Sequence, residues 1–354
     1  MSMSRRHLLV IGAVVLLLVA GGVVWFVTSR DDEDGPGRLA RAVGMAPEAS
    51  ARIGWVDWSG IREELDADLS AASPTEDVEE FLGDGFDADV IAPSALVSSA
   101  PKLQTDFGFS PATVDWELFA QSEEGAIVIV GLPEALDLDR LEDQLEELGF
   151  QKPSLDDDVW VGGADLLATI GGVSQELAFI TIDRDRRVIA ASDQSATLET
   201  WRDEQRGTGL DDGIAEVTDA EEGALAASIY AADYACVALS MTQASDADRT
   251  RGAELVAQAG DIHPYRAFAI AALPGGDVRV AMSFETEAQA RTNADTRSQL
   301  AAGPAPGQGG AFPDLFTLGE VTADGTVVVL PLDPRPSTYV MSDMATGPVL
   351  FATC

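Results

Sequence analysis

Histidine and cysteine are nearly absent from this chain, which has two of each among 354 residues. A zinc site needs several histidine or cysteine ligands at close spacing. A serine–histidine–aspartate triad would have only His263 available beyond the N-terminal region, and no Gly-x-Ser-x-Gly nucleophile elbow occurs. These absences argue against zinc and serine-hydrolase chemistry. His263 precedes a proline and is interpreted as a loop residue.

Cations are also scarce, since 22 lysines and arginines face 60 acidic residues and give a net charge of −38. The chain beyond Arg30 holds all 60 acidic residues and 19 of the 22 basic ones, so its formal charge is about −41. Such a field repels nucleic acid and anionic lipid headgroups, and we expect no nucleic-acid partner. The acidic residues are scattered, which is typical of a solvated surface.

One long apolar run is present, at residues 8–27, between Arg5-Arg6 and the acidic residues 31–34. Twenty helical residues span roughly 30 Å, the thickness of a bilayer's hydrocarbon core. Basic residues ahead of such a segment stay cytoplasmic. We therefore expect a cytoplasmic tip (1–7), a transmembrane signal anchor (8–27) and an extracytoplasmic remainder at the cell membrane.

Two alternatives stay open at this terminus. Ala20-Gly21-Gly22 would suit cleavage of a signal peptide, although the apolar run continues to Val27 and favours a retained anchor. Residues 4–9 also resemble a twin-arginine export signal. No cysteine follows the apolar run, which argues against a lipoprotein anchor.

Hairpin signals alternate with single amphipathic helices beyond the N-terminal region. This alternation predicts an α+β fold, with antiparallel sheets backed by amphipathic helices. We expect an acidic stalk or linker (28–52), a first α+β unit (53–210) and a second (211–354). The second half loosely echoes the first, which raises the hypothesis of duplicated units. Predicted hairpins turn at 122–125, 183–186, 274–277 and 324–325, and predicted helices cover 138–148, 195–204, 246–259, 287–301 and 339–344.

Cys236 and Cys354 lie beyond the predicted anchor, where disulfides persist. An even count in an oxidising compartment favours a bridge between them. The alternative is two buried thiols.

Carboxylates suggest one ligand, calcium, because Asp84, Asp87 and Asp89 offer clustered oxygens. They do not match the twelve-residue calcium loop, and aspartates near helix starts often serve as caps. Ser99 and Lys102 have the Ser-x-x-Lys spacing of penicillin-recognising enzymes. Pro101 disfavours the helical conformation at Ala100 that such a pair needs.

Three motifs carry a resemblance to a known group of proteins. They are Trp-Val-Asp-Trp at 55–58, Phe-Gly-Phe-Ser-Pro at 107–111 ahead of Trp116-Glu117, and Gly-Pro-Val-Leu-Phe-Ala-Thr-Cys at 347–354. This pattern resembles uncharacterised membrane-anchored extracytoplasmic proteins of high-GC Gram-positive bacteria. The resemblance implies a location and a fold, and it implies no activity.

Good folding signals without a coherent catalytic set favour a non-catalytic domain that serves binding or assembly at the cell envelope, where other envelope proteins would be its partners. One alternative is an envelope hydrolase that uses aspartate and glutamate carboxylates. The other is a lipid- or small-molecule-binding domain, which would require an apolar cavity between sheet and helices.

Overall fold

The described residues form a single antiparallel sheet with helices on both faces. The computed structural model describes residues 36–154, 158–204 and 211–354. Its strands are β1 (Arg52–Val56), β2 (Trp116–Ser122), β3 (Gly125–Gly131), β4 (Trp160–Val161), β5 (Phe179–Asp183), β6 (Val188–Ser192), β7 (Ala226–Ala231), β8 (Ala267–Ala272), β9 (Val278–Ser283), β10 (Phe316–Leu318), β11 (Thr322–Asp324) and β12 (Val327–Pro334).

The strand order places the strands of the two halves of the chain side by side, and they meet in the middle of the sheet where β1 pairs with β7. The order is β10-β12-β9-β8-β7-β1-β2-β3-β6-β5-β4, and β11 also pairs with β12. In each half of the chain, three consecutive strands lie side by side, and the last strand of that half pairs with the third. Thus β6 pairs with β3, and β12 pairs with β9. This shared order is compatible with duplicated units, a hypothesis that stays a prediction.

Within the described residues, twelve α-helices pack on this sheet. They are α1 (Arg38–Val43), α2 (Trp58–Glu64), α3 (Thr75–Asp87), α4 (Ala100–Lys102), α5 (Leu138–Leu148), α6 (Gly163–Ile170), α7 (Ser195–Glu204), α8 (Asp212–Ala220), α9 (Ala232–Ala238), α10 (Asp246–Ala259), α11 (Glu287–Ala301) and α12 (Val340–Met344). A π-helical turn, Leu103–Phe107, follows α4 directly.

The two faces of the sheet carry unequal cores, because successive side chains of a strand point to opposite faces. In β2, Leu118 and Ala120 face one core, whereas Phe119 packs against the other. We call the larger side the broad layer; it holds α2–α6 and α9–α12. The smaller side, the thin layer, buries residues of α1, α7 and α8: Leu39, Val43, Leu198, Trp201, Ile214 and Val217.

The predicted α+β class and its antiparallel pairing are confirmed, although one sheet runs through both halves where separate sheets were expected. Local signals located most elements. Asp137 accepts hydrogen bonds at the start of α5, Ser245 does so at α10, and Thr286 with Gln289 forms the capping box of α11. The four predicted hairpins are present at the expected turns.

The folded part begins earlier than the predicted start near Ile53. Helix α1 lies in the predicted stalk, yet Leu39, Ala42 and Val43 are buried, and Arg38–Cys354 forms one compact unit. A second difference concerns Ala100, which is helical although Pro101 follows it. The pre-proline preference is a bias, and burial of Ala100 and Leu103 in the broad layer outweighs it.

The predicted anchor at 8–27 lies outside the described residues. Among the residues that are described, no helix has the length and apolarity needed to cross a bilayer.

The predicted disulfide between Cys236 and Cys354 is confirmed, and it joins α9 to the last residue of the chain. The C-terminal segment is also held by Arg297, a buried side chain of α11. Its guanidinium donates to the carbonyls of Phe351 and Thr353, at 2.5 and 3.0 Å. The chain end is therefore packed as part of the broad layer.

Candidate functional site

A cleft of about 460 Å³ opens on the broad layer, and we call it the arginine cleft. Its walls come from α2, the segment 69–71, the π-helical turn, the loop 108–113, the loop 133–136 and the first two turns of α5. Its volume falls within the range of about 300–1,000 Å³ that is usual for small-molecule sites.

Helix α5 positions two polar side chains in the cleft. Leu141 and Leu145 anchor the helix in the core, and Asp137 accepts hydrogen bonds from the amides of Asp139 and Arg140. Arg140 and Gln144 are four residues apart and both line the cleft, as helix periodicity allows.

The approach of Gln144 requires a glycine opposite it. Gly108 has φ +77°, and a Cβ built there would lie 2.0 Å from Oε1 of Gln144. Any other residue at this position would be strained in its backbone and would displace the Gln144 amide.

Arg62, on α2, is the second cation of the cleft. Its Nη1 donates to the carbonyl of Pro111 at 2.6 Å, which fixes the side chain. Burial lowers the pKa of Arg62, whereas the carboxylates of Asp115 and Asp57 act in the opposite direction. The guanidinium stays charged at neutral pH, because the ordinary pKa of an arginine side chain lies far above 7.

Gln104 joins the segment 70–73 to Ser110 beside the cleft. Its Nε2 donates to the carbonyls of Ser70 and Ser73, each at 3.0 Å, and its Oε1 accepts from Ser110 Oγ at 2.6 Å. Both the nitrogen and the oxygen of this side-chain amide thus bond to protein groups around the cleft.

Arg140 differs from the other cations of the described part of the chain. Its guanidinium makes no hydrogen bond, ion pair or ring contact there, although acidic residues outnumber basic ones almost threefold. The side-chain amide of Gln144 is likewise unengaged among the described residues. The cleft therefore presents free hydrogen-bond donors beside fixed ones.

A second groove, of about 630 Å³, provides a contrast. Glu48, Glu123, Glu124 and Asp233 line it, together with Arg266. Arg266 lies 3.5–3.8 Å from carboxylate oxygens of Asp211, Asp212 and Glu216, so its charge is compensated. Free cationic donors are a property of the arginine cleft and not of this groove.

The predicted calcium residues do not converge. Asp84 and Asp87 are exposed on α3, and Asp89 accepts from the amides of Met341 and Ser342 at the start of α12. Within the described ranges, no group of three His, Cys, Asp or Glu residues is placed to hold a metal ion. Asp89 serves as a link between two helices of the broad layer.

The other residues singled out from the sequence have structural partners. His263 lies in a loop, as predicted, with Nδ1 2.9 Å from Nδ2 of Asn293. Ser99 Oγ accepts from the amide of Ser174, and Lys102 pairs with Asp106 at 2.8 Å. These contacts leave the Ser-x-x-Lys spacing without a catalytic arrangement.

Two buried carboxyls have perturbed acidity, which is a common mark of catalytic sites. Burial raises the pKa of Glu117 to about 7 and that of Glu221 well above the usual range. Glu117 faces the broad layer, where it bonds Trp58, whereas Glu221 follows α8 in the thin layer. The sheet separates them, so they do not form a two-carboxylate pair.

Neither arginine of the cleft is among the residues that the sequence predicts as functional. Arg62 lies on a short helix that no local pattern indicates. Arg140 carries a usable signal, since it is the third residue of α5, where the helix dipole disfavours a cation. A cation at such a position, in a chain with few cations, indicates that it contributes something other than helix stability, such as ligand binding.

Comparisons with known proteins add no family. No family model matches the sequence, and no curated protein matches it. The solved structure titled "Structure of crystal form I of TP0453" aligns with 84% of this chain and 94% of that chain, at 8% identity and a TM-score of 0.38. A likeness this distant carries no argument about function.

Proposed function

We propose that this chain is a single-pass, membrane-anchored extracytoplasmic protein whose folded domain binds a small molecule in the arginine cleft. The anchor is supported by the apolar residues 8–27 and their flanking charges. An oxidising compartment is supported by the Cys236–Cys354 disulfide. An alternative role for the folded domain is assembly, in which it would bind other envelope proteins.

The observation that carries the binding proposal is the arginine cleft itself. It combines a suitable volume with apolar walls and with donors that no other part of the described chain uses. Arg140 is exposed at the cleft, so its guanidinium is accessible to a ligand.

A substitution that fills the cleft tests this proposal. Ala135 is exposed and lines the cleft, so Ala135→Trp should occupy it without disturbing the core. Ala288, exposed on α11 outside the cleft, provides the matched control Ala288→Trp. Full-length protein in nanodiscs would be dialysed against a small-molecule extract of the producing cells, and retained compounds identified by mass spectrometry.

We expect the unmodified protein and Ala288→Trp to retain the same compound, and Ala135→Trp to lose it. Equal retention by all three proteins would overturn the cleft as the binding site. Protease added to intact cells tests the location separately, because the proposal requires the folded domain to be cleaved from outside.

A carboxylate-based envelope hydrolase is the second candidate function, and the raised pKa of Glu117 is the observation that favours it. Activity on cell-wall glycan that Glu117→Gln abolishes, with folding preserved, would establish it. Glu117 is buried beneath the segment 94–96 and bonded to it, which argues for a structural role instead.

A further inference from the structure

We propose that the arginine cleft binds an organic anion consisting of a carboxylate joined to an apolar group. Arg140 and Arg62 would contact the carboxylate, and Leu69, Phe109 and Leu136 would contact the apolar group. This inference rests on the proposed binding function and specifies the class of ligand.

Arg140 supplies the first reason. A guanidinium has five N–H donors in a planar fork and no acceptor, so its partners must be acceptors. None of these donors is used among the described residues. The fork matches the two oxygens of a carboxylate, and such charge-assisted bonds are among the stronger hydrogen bonds in proteins.

Arg62 supplies a second, positioned cation. Its bond to the carbonyl of Pro111 holds the guanidinium in place through Nη1 alone. The remaining donors of the fork stay available to a ligand. Because Arg62 is only partly exposed, its attraction to an anion is less screened by water than that of a surface arginine.

The strongly acidic chain does not prevent this binding. At physiological ionic strength, charges more than about 8 Å apart are largely screened, so the groups that line the cleft dominate. The one carboxylate among them, Asp137, already accepts two amide hydrogen bonds as the cap of α5. Asp115 and Asp57 act on Arg62 from outside the lining, so Arg140 is the uncompensated cation of the cleft among the described residues.

The apolar wall defines the rest of the ligand. Phe109 is buried, Leu69 and Leu136 are partly buried, and all three line the same cleft as the arginines. A small inorganic anion would leave the exposed parts of Leu69 and Leu136 in contact with water. A carboxylate with an aromatic or short aliphatic group would cover them.

The test uses 3-phenylpropionate, its uncharged amide and the corresponding amine as probes, with acetate as the headgroup alone. Binding to full-length protein in nanodiscs of neutral lipid would be measured by isothermal titration calorimetry. We expect 3-phenylpropionate to bind at least tenfold more tightly than the amide or acetate, and the amine not to bind.

Arg140→Ala should weaken 3-phenylpropionate binding about tenfold or more, because a charge-assisted hydrogen bond is lost. Arg251→Ala is the matched control, since Arg251 is an exposed arginine on α10 that pairs with Glu254. It should leave the affinity unchanged. Thermal melts of both variants would confirm folding, which the exposure of both side chains favours.

Equal binding of acid and amide, or equal affinities of Arg140→Ala and the unmodified protein, would overturn the anion proposal. The proposed function would survive that result if Ala135→Trp still abolished retention of a compound from the cell extract. If Ala135→Trp retained that compound too, both proposals would fall.

Discussion

Glu117 and Glu221 are both fully buried, yet the structure surrounds them in opposite ways. Each oxygen of Glu117 accepts two hydrogen bonds. Oε1 accepts from the amides of Ala95 and Leu96 at 2.5 and 3.2 Å, and Oε2 accepts from Ser94 Oγ and Trp58 Nε1 at 2.7 and 3.1 Å. These donors fasten the segment 94–96 and α2 to the centre of the sheet.

Neither oxygen of Glu221 accepts a hydrogen bond from any residue that the structure describes. Its nearest cation is Arg279, with Nη1 3.9 Å from Oε2, and that nitrogen donates instead to the carbonyl of Ala220 at 2.6 Å. The cost of desolvation is thus partly offset at Glu117 and largely uncompensated at Glu221. A raised pKa has a structural origin at both sites, and neither one indicates catalysis by itself.

The largest effect should come from Glu117→Ala. The substitution leaves two buried and two partly buried donors without an acceptor, and each buried loss costs about 1–3 kcal/mol before relaxation. We expect the free energy of unfolding to fall by at least about 3 kcal/mol, measured by urea denaturation of the full-length protein in detergent.

Glu123→Ala, in the exposed turn between β2 and β3, is the control for that experiment. It should change the free energy of unfolding by no more than about 0.5 kcal/mol. Equal effects of the two substitutions would contradict the view that Glu117 is a hub of hydrogen bonds.

The pH dependence of stability should be the next largest effect. Because burial raises the pKa of Glu117 from 4.5 to about 7, the folded state keeps a proton that the unfolded state releases between these values. The unfolded state therefore binds fewer protons, and stability falls as pH rises from about 4.5 to 7, by up to about 3 kcal/mol.

Glu117→Gln removes this titration and provides the comparison. The difference in unfolding free energy between the two proteins should change across pH 4.5–7 and stay level below that window. Parallel curves for the two proteins would show that Glu117 titrates normally.

Whether a feature depends on local or on distant contacts explains whether the sequence predicts it. The start of α5 and the hairpin turns depend on residues a few positions apart, so patterns such as Asp137 followed by spaced leucines locate them. The bonds of Glu117 come from Trp58, 59 residues away, and from Ser94, 23 residues away. No local pattern reports such pairings.

The arginine cleft depends on distant contacts for the same reason. Arg62 and Arg140 come from separate helices and line one cleft only because both helices pack on the broad layer. Short helices such as α2 also carry too few residues for a periodic signal. The class of fold was therefore predictable, whereas the candidate site was not.

Glu221→Gln should act in the direction opposite to Glu117→Ala. It removes a buried carboxyl that receives no hydrogen bond among the described residues and that ionises readily only in the unfolded chain, while Arg279 keeps its bond to Ala220 and part of its exposure to water. We expect stabilisation by about 1–2 kcal/mol at pH 8. The gain should shrink as pH falls and vanish below about pH 4.5, where the carboxyl becomes protonated in both the folded and the unfolded state.

A loss of stability at pH 8 in Glu221→Gln would mean that the contact with Arg279 outweighs desolvation. Gln299→Glu, at a surface position of α11, gives a control in which a charge is added at an exposed site and the change should stay within about 0.5 kcal/mol.

The smallest effect should come from Ser94→Ala, which removes one of the four donors of Glu117. A hydrogen bond to a charged group is worth about 1.5–3 kcal/mol, but Ser94 is only partly buried, so water replaces part of the bond. Ser94 Oγ also accepts from the amides of Leu96 and Val97. We expect a loss of about 1 kcal/mol at pH 8 and a smaller one at pH 5, where Glu117 is mostly protonated.

Because the hydroxyl of Ser94 lowers the pKa of Glu117, its removal should also move the upper end of the pH window above 7. Denaturation curves at pH 5, 7 and 8 measure both effects, and an unchanged window would show that Ser94 supports the turn at 94–97 rather than the charge of Glu117.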